Sequence, residues 1–275
     1  MAELDNVAFI GGGNMARSLI GGLIARGVPA SSLRVAEPVA ALRDSLVKDF
    51  GVQVFESADG AVDGAGLWLM AVKPQVMRGV CQQLSAKALD SRPVVVSIAA
   101  GITAGQLQRW LGEEVPIIRS MPNTPALLGA GVTGLYATPQ VDDTGRSQTE
   151  TLLASAGKTV WIEDEALMDV VTAVSGSGPA YIFLMAEAME AAALKRGLPA
   201  AAARTLVLET VLGAARMLTE SDEDPSELRR RVTSPNGTTQ AAIEAFQAGG
   251  LETLVDGAID AAAKRGGELA AANDG

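Results

Sequence analysis

The sequence has 275 residues, one Cys, no His, and 22 Lys+Arg against 32 Asp+Glu, for a net charge of −10. That length supports about two domains with a proper core, 48% apolar residues argue against disorder, and the negative charge argues against nucleic-acid or anionic-membrane partners. Lack of imidazole excludes a His metal site, a Ser-His-Asp triad and a His general base, while the lone Cys81 excludes a disulfide framework or CxxC motif and fits a reducing, cytoplasmic setting.

The N-terminal Met1-Ala2-Glu3-Leu4-Asp5 is acidic, unlike a secretory leader. Val7–Ile10 then reads as a buried strand entering the tight turn Gly11-Gly12-Gly13. Met15, Ala16, Leu19, Ile20, Leu23 and Ile24 recur at helical spacing, and Gly27 stops that helix. A second strand covers Leu33–Ala36, and a helix carrying Ala41, Leu42, Leu46 and Phe50 follows. Further strands are expected at Val52–Phe55, Leu67–Val72, Val94–Ile98 and Ile117–Met121, with Lys158–Ile162 as the last. This alternation predicts an α/β fold: an N-terminal Rossmann-type doubly wound sheet over 1–164. Residues 120–141 are uncharged and long enough to span a membrane, yet their Pro and Gly residues break them into strand-like runs.

From residue 165 strand signals vanish, and an all-α domain is expected over 165–275, with helices near 179–196, 199–219, 225–232, 239–248 and 250–272. The first of these is apolar nearly all round, so it must be buried on several sides, in a core shared between subunits or as a central helix of one subunit.

Gly11-Gly12-Gly13-Asn14-Met15-Ala16 matches G-x-G-x-x-A between a strand and a helix. Gly11 permits the turn, Gly13 lets a pyrophosphate approach the backbone, and Ala16 lets the helix pack close to the sheet. Glu37 sits at the end of the second strand, where a carboxylate accepts from ribose hydroxyls and repels a 2′-phosphate. A solvated strand-end Glu is the competing reading. Ala71-Val72-Lys73-Pro74-Gln75, Ile98-Ala99-Ala100-Gly101 and Met121-Pro122-Asn123-Thr124-Pro125 lie where a doubly wound sheet binds ligands. Lys73 either steadies its loop and balances cofactor charge or serves as a proton donor. Ser177 reads as an N-cap with Pro179 in the first turn. Thr233–Thr239 forms a turn whose N–H groups could hold a carboxylate, or a plain capped loop. Cys81 reads as a small core residue, and Glu163 and Asp169 as helix-start charges.

Taken in order, Gly11–Ala16, Ala71–Gln75, Arg119-Ser120-Met121-Pro122-Asn123-Thr124-Pro125, Ser175-Gly176-Ser177-Gly178-Pro179-Ala180-Tyr181 and Val232–Thr239 resemble the pyrroline-5-carboxylate reductase family along the whole chain. The resemblance implies reduction of 1-pyrroline-5-carboxylate to L-proline by NADPH or NADH, in dimers of interlocked C-terminal domains, often gathered as five dimers. It implies Gly11, Gly13, Asn14, Met15, Ala16, Glu37, Val72, Lys73, Pro74, Ala99, Ala100, Met121 and Asn123 at the cofactor. It implies Ser177, Ser234, Asn236, Gly237 and Thr238 at the substrate, with Thr239 hydrogen-bonding the ring nitrogen. No metal is implied. Asp222 falls where some members carry an acidic residue near the imine. Asn236 replaces the usual first glycine of a Gly-Gly pair, so its backbone must exploit the tolerance of Asn for left-handed φ. Pro38 and Val39 stand where many NADPH-using members have Arg and Ser or Thr. Two other classes compete: a different imine or hydroxyacid reductase, and a non-catalytic NAD(P) sensor.

Overall fold

The computed structural model describes Leu4 and residues 6–273. Met1–Glu3 and Asp5, on which the reading of the N-terminus rests, lie outside the described residues, as do the last two. By packing, the chain divides into one unit of Met1–Ser177 with Ala261–Gly275, and another of Gly178–Asp260.

The first unit begins with β1 (Val7–Ile10), α1 (Asn14–Ala25), β2 (Leu33–Ala36), α2 (Ala40–Phe50), β3 (Gln53–Phe55), α3 (Ala58–Val62) and β4 (Leu67–Met70). It continues through α4 (Pro74–Ser91), β5 (Val94–Ser97), α5 (Ala104–Leu111), β6 (Ile117–Met121), β7 (Gly131–Ala137), α6 (Asp143–Leu153), β8 (Gly157–Trp161) and α7 (Met168–Val171). The strands form one sheet in the order β3-β2-β1-β4-β5-β6-β7-β8. Every pair is parallel except β6 with β7. The antiparallel turn has a simple cause: the link from β6 to β7 holds only a short 3₁₀ turn, Thr124–Leu128, too little chain for a parallel crossover. The segment 120–141 is thus strand and turn, as its Pro and Gly residues require.

Alternate residues of each strand feed different faces. Phe9, Val35, Leu69 and Val96 join Leu19 and Leu23 of α1 in one core, while Ala8, Ile10, Trp68, Met70 and Val95 join Met77, Cys81 and Leu84 of α4 in the other. Burial on both faces is why the strands read as continuous apolar runs rather than alternating ones. It also pushes the Cys81 thiol up to about 12, so this residue packs and stays protonated.

The second unit holds α8 (Gly178–Lys195), α9 (Ala200–Glu220), α10 (Pro225–Arg231), α11 (Thr238–Ala248) and the start of α12 (Leu251–Ala272). Among its described hydrophobic residues only Ala203 and Val207 are buried. Phe183 and Leu184 of α8 and Leu254 of α12 are 67%, 67% and 70% exposed. Glu165–Lys195 forms the one helical run, among the described residues, long and apolar enough to cross a membrane by length and composition.

The division expected at 164/165 falls elsewhere by packing. After β8, α7 still contacts β7, with Val171 Cγ1 filling the space over Gly134. The last turns of α12 also return to the sheet unit: Gln106 Nε2 donates to the Ala270 carbonyl at 2.8 Å, and Asn273 Nδ2 to the Gly101 carbonyl at 3.0 Å.

Candidate active site

The strand order reverses about β1, whose neighbours are β2 and β4. That leaves a crevice beyond their carboxyl ends, the usual ligand position of a doubly wound sheet. Gly11 lies at its floor with φ +106°, and a Cβ there would sit 2.7 Å from the Ala71 carbonyl oxygen. Only glycine lets β1 turn this close to β4. Gly13 is different: its φ is −71°, and a Cβ would meet nothing within 4 Å. The glycine keeps open a space beside the start of α1. That helix start has no side-chain cap and no acidic residue in its first turn. Free N–H groups, the positive end of a helix dipole and open space together fit a pyrophosphate.

The other residues expected at a cofactor gather on the same edge of the sheet. Asn14, Met15 and Ala16 open α1, and Ala16 is buried against the sheet. Val72, Lys73 and Pro74 follow β4, with Pro74 in the first turn of α4, where its missing N–H costs nothing. Lys73 is exposed and makes no side-chain bond among the described residues, so it does not steady its loop that way. Ala99 and Ala100 follow β5; Met121 ends β6 and Asn123 comes just after it. Asn123 is a bracket: its Oδ1 accepts from Val132 N–H at 3.0 Å and its Nδ2 donates to the Ser175 carbonyl at 3.2 Å. A Cβ on Gly176 would sit 2.5 Å from Met121 Cε. The Ser-Gly-Ser-Gly-Pro segment and the Met-Pro-Asn segment therefore meet.

Ser177 departs from its expected N-cap role. Thr172–Gly176 form a π-turn, and the Ser177 N–H donates to the Thr172 carbonyl at 2.8 Å with helical φ and ψ of −85° and −23°. An N-cap needs extended backbone. The π-turn instead carries the chain directly into α8, a local feature common at functional sites.

In the second unit, Asn236 takes φ +57°, the left-handed backbone expected of it. Its N–H donates to Gln240 Oε1 at 2.7 Å, and the Gly237 N–H to the Ser234 carbonyl at 3.0 Å. The anion cradle placed at Asn236, Gly237 and Thr238 is therefore partly closed by the loop's own bonds. Beyond them in the chain, the N–H groups of Thr238, Thr239 and Gln240, in the first turn of α11, are uncommitted. Ser234, Asn236 and Thr238 are exposed and Thr239 half-buried. Asp222 lies in the turn between α9 and α10, on the same unit.

Sequence reasoning missed a buried ion-pair set. Arg119, on β6 and 5% exposed, reaches Asp169 at 2.9 Å and Glu165 at 3.3 Å, and Glu165 also accepts from Ala104 N–H at 2.6 Å. Asp169 is thus no mere helix-start charge. The available signal was an arginine inside the apolar run Ile117–Met121, which needs a carboxylate partner when buried. We expect Arg119→Met to destabilise the protein by about 3 kcal/mol, the low end for a broken buried pair, because both carboxylates keep some solvent. A denaturant midpoint measured at pH 7 reads this, and an unchanged midpoint would show the pairs to be ornamental.

Comparisons with known proteins find relatives along the whole chain. A family model described as pyrroline-5-carboxylate reductase dimerisation matches residues 165–269. One described as NADP oxidoreductase coenzyme F420-dependent matches residues 6–101. A pyrroline-5-carboxylate reductase of Pseudomonas aeruginosa is 53% identical over 264 residues, covering 96% of both chains. One from Haemophilus influenzae is 42% identical, covering 96% of this chain and 97% of its own. The solved pyrroline-5-carboxylate reductase of Coxiella burnetii superposes with a TM-score of 0.94 at 38% identity, covering 97% of this chain and 99% of that one. The Plasmodium falciparum pyrroline carboxylate reductase with NADP bound gives 0.84 at 27% identity, covering 98% and 99%.

Proposed function

The chain belongs to the pyrroline-5-carboxylate reductase family, and we propose the way it works: Thr239 positions the imine, and a homodimer completes the fold. It is an NAD(P)H-dependent oxidoreductase that reduces 1-pyrroline-5-carboxylate to L-proline, the last step of proline synthesis.

When bound, the cofactor supplies the hydride for the C=N carbon of the substrate. The chain's own residues bind and align the reactants. Gly11–Ala16 hold the dinucleotide phosphates on the start of α1, and the loops after β4, β5 and β6 shape the nicotinamide end. The Thr238, Thr239 and Gln240 N–H groups hold the substrate carboxylate, and the Asn236 and Gly237 N–H groups brace the loop that presents them. Thr239 Oγ1 hydrogen-bonds the ring nitrogen. A protonated imine is already electrophilic, so alignment suffices for much of the rate, up to roughly 7–11 kcal/mol of barrier in well-oriented systems. A hydroxyl is a poor acid, so Thr239 orients first and relays a proton second. This is chemistry open to a protein without histidine.

The observation that carries this reading is the uncapped start of α11 with half-buried Thr239 in its first turn. Thr239→Ala is expected to lower kcat about 10²-fold, with NAD(P)H affinity unchanged and partial rescue by Thr239→Ser. Normal turnover in Thr239→Ala, or a weakened cofactor with normal turnover, would remove the role.

The dimer follows from the exposed apolar helices of the second unit. A groove of about 320 Å³ lined by Tyr181, Leu184, Met185, Leu251, Leu254 and Val255 lies open there. A second copy of the unit is the occupant that the matching dimerisation family names. Dimerisation also accounts for the apolar run Glu165–Lys195 without a membrane. Assembly of five dimers and a cytoplasmic location, which suits a lone buried thiol and a reduced cofactor pool, complete the proposal.

A further inference from the structure

We infer that Glu37 makes this enzyme select NADH over NADPH. The inference rests on the sheet unit being the cofactor-binding unit and goes beyond it to the choice between the two cofactors.

Glu37 ends β2 and is 7% exposed. Its Oε2 accepts from Gly12 N–H at 3.1 Å, and its Oε1 accepts from Val39 N–H at 3.0 Å. The carboxylate is therefore not a solvated strand end. It is tied to the middle glycine of the very turn that holds the dinucleotide. An ionised carboxylate offers about four acceptor positions. Two are taken by the backbone, which leaves one on each oxygen for a ribose hydroxyl pair.

A 2′-phosphate replaces one of those donors with a dianion that has no proton to give. In many proteins a carboxylate could swing aside to admit it. Here it cannot leave cheaply, because departure strands the buried Gly12 N–H without a partner. The turn is also packed closely on this side: a Cβ on Gly12 would meet Leu46 Cδ1 at 2.7 Å and Glu37 Oε2 at 3.3 Å. Cationic compensation is also limited. Arg43 Nη1 donates to the Glu37 and Pro38 carbonyl oxygens, both at 2.8 Å, so that end of its guanidinium is spent on the backbone. Pro38 and Val39 supply neither a hydroxyl nor a charge. Arg17, at the start of α1, is paired with Asp49.

Equilibrium binding tests this apart from turnover. Titration of the intact protein with NADH and with NADPH, followed by nicotinamide fluorescence, should give a Kd for NADH at least about tenfold lower, equivalent to about 1.4 kcal/mol. Glu37→Gln keeps the shape and one acceptor but loses the charge. It should bring the two Kd values within about threefold, chiefly through tighter NADPH, whereas Glu37→Asp should keep the preference for NADH. Equal Kd values in the unaltered protein, tighter NADPH, or an unchanged ratio in Glu37→Gln would each overturn the inference alone. Failure of both cofactors to bind would overturn the cofactor assignment with it.

Discussion

Gly11→Ala is expected to weaken cofactor binding by at least 100-fold and to destabilise the protein by about 4 kcal/mol. The figure combines two costs of about 1–3 kcal/mol each: a side chain forced to positive φ, and overpacking against fixed atoms. Neither can be relieved locally. The Gly11 Cβ would sit 2.7 Å from the Ala71 carbonyl oxygen and 2.9 Å from its carbon, both backbone. Ala71 is itself tied to β1, its N–H donating to the Ile10 carbonyl at 2.8 Å. Moving it would part the two central strands, where Ile10 pairs with Met70. Since a domain is stable by only about 5–15 kcal/mol, a loss of this size is visible in any unfolding curve. Gly13→Ala makes the informative contrast. Its Cβ enters open space at φ −71°, so the fold should be untouched while NADH binding drops about tenfold. Thermal unfolding and NADH titration of both variants check this. Normal binding in Gly11→Ala would mean the crevice beyond β1 is not the dinucleotide site.

The sheet was legible because its physics is local. Strands buried on both faces must be apolar runs, and a Gly-rich turn marks where such a strand gives way to an amphipathic helix. Other features depend on partners distant in sequence or on hydrogen-bond register. Arg119 meets Asp169 fifty residues on, and nothing near either residue announces the other. The π-turn before Ser177 is set by which carbonyl its N–H chooses and by the helical backbone this imposes, neither of which the residue types dictate. Gln240 takes the Asn236 N–H by reaching back along the chain, so the donors left open begin at Thr238 rather than at Asn236. The return of the last turns of α12 to the sheet unit left no mark either, because that helix runs through residue 260 without a change of pattern. Glu37 shows the reverse: its position was read from spacing, and its burial with bonds to Gly12 and Val39 removes the reading of a solvated strand end.

Leu184→Glu combined with Leu254→Glu is expected to abolish the dimer and with it turnover, while NADH still binds the sheet unit. Both side chains are largely exposed in a single chain, so charge there costs an isolated subunit almost nothing. In the proposed homodimer they line the groove that the second copy fills. Two-fold symmetry doubles every substitution, so four leucines lose their burial. At about 1.5–3 kcal/mol for each, the loss exceeds roughly 6 kcal/mol before any carboxylate desolvation, or about 10⁴-fold in the dimer Kd. Obligate homodimers commonly bury about 2,000–5,000 Å², and a helical unit with only Ala203 and Val207 as its buried hydrophobic residues has need of such a surface. Without it, the first turn of α11 should lose its fixed geometry and Thr239 its hold on the imine. Sedimentation velocity, helical circular dichroism and NADH titration of the double variant separate these effects. A variant that remains dimeric and active would overturn the interface, as would an unaltered protein that runs as a monomer or partitions into neutral lipid vesicles through Glu165–Lys195.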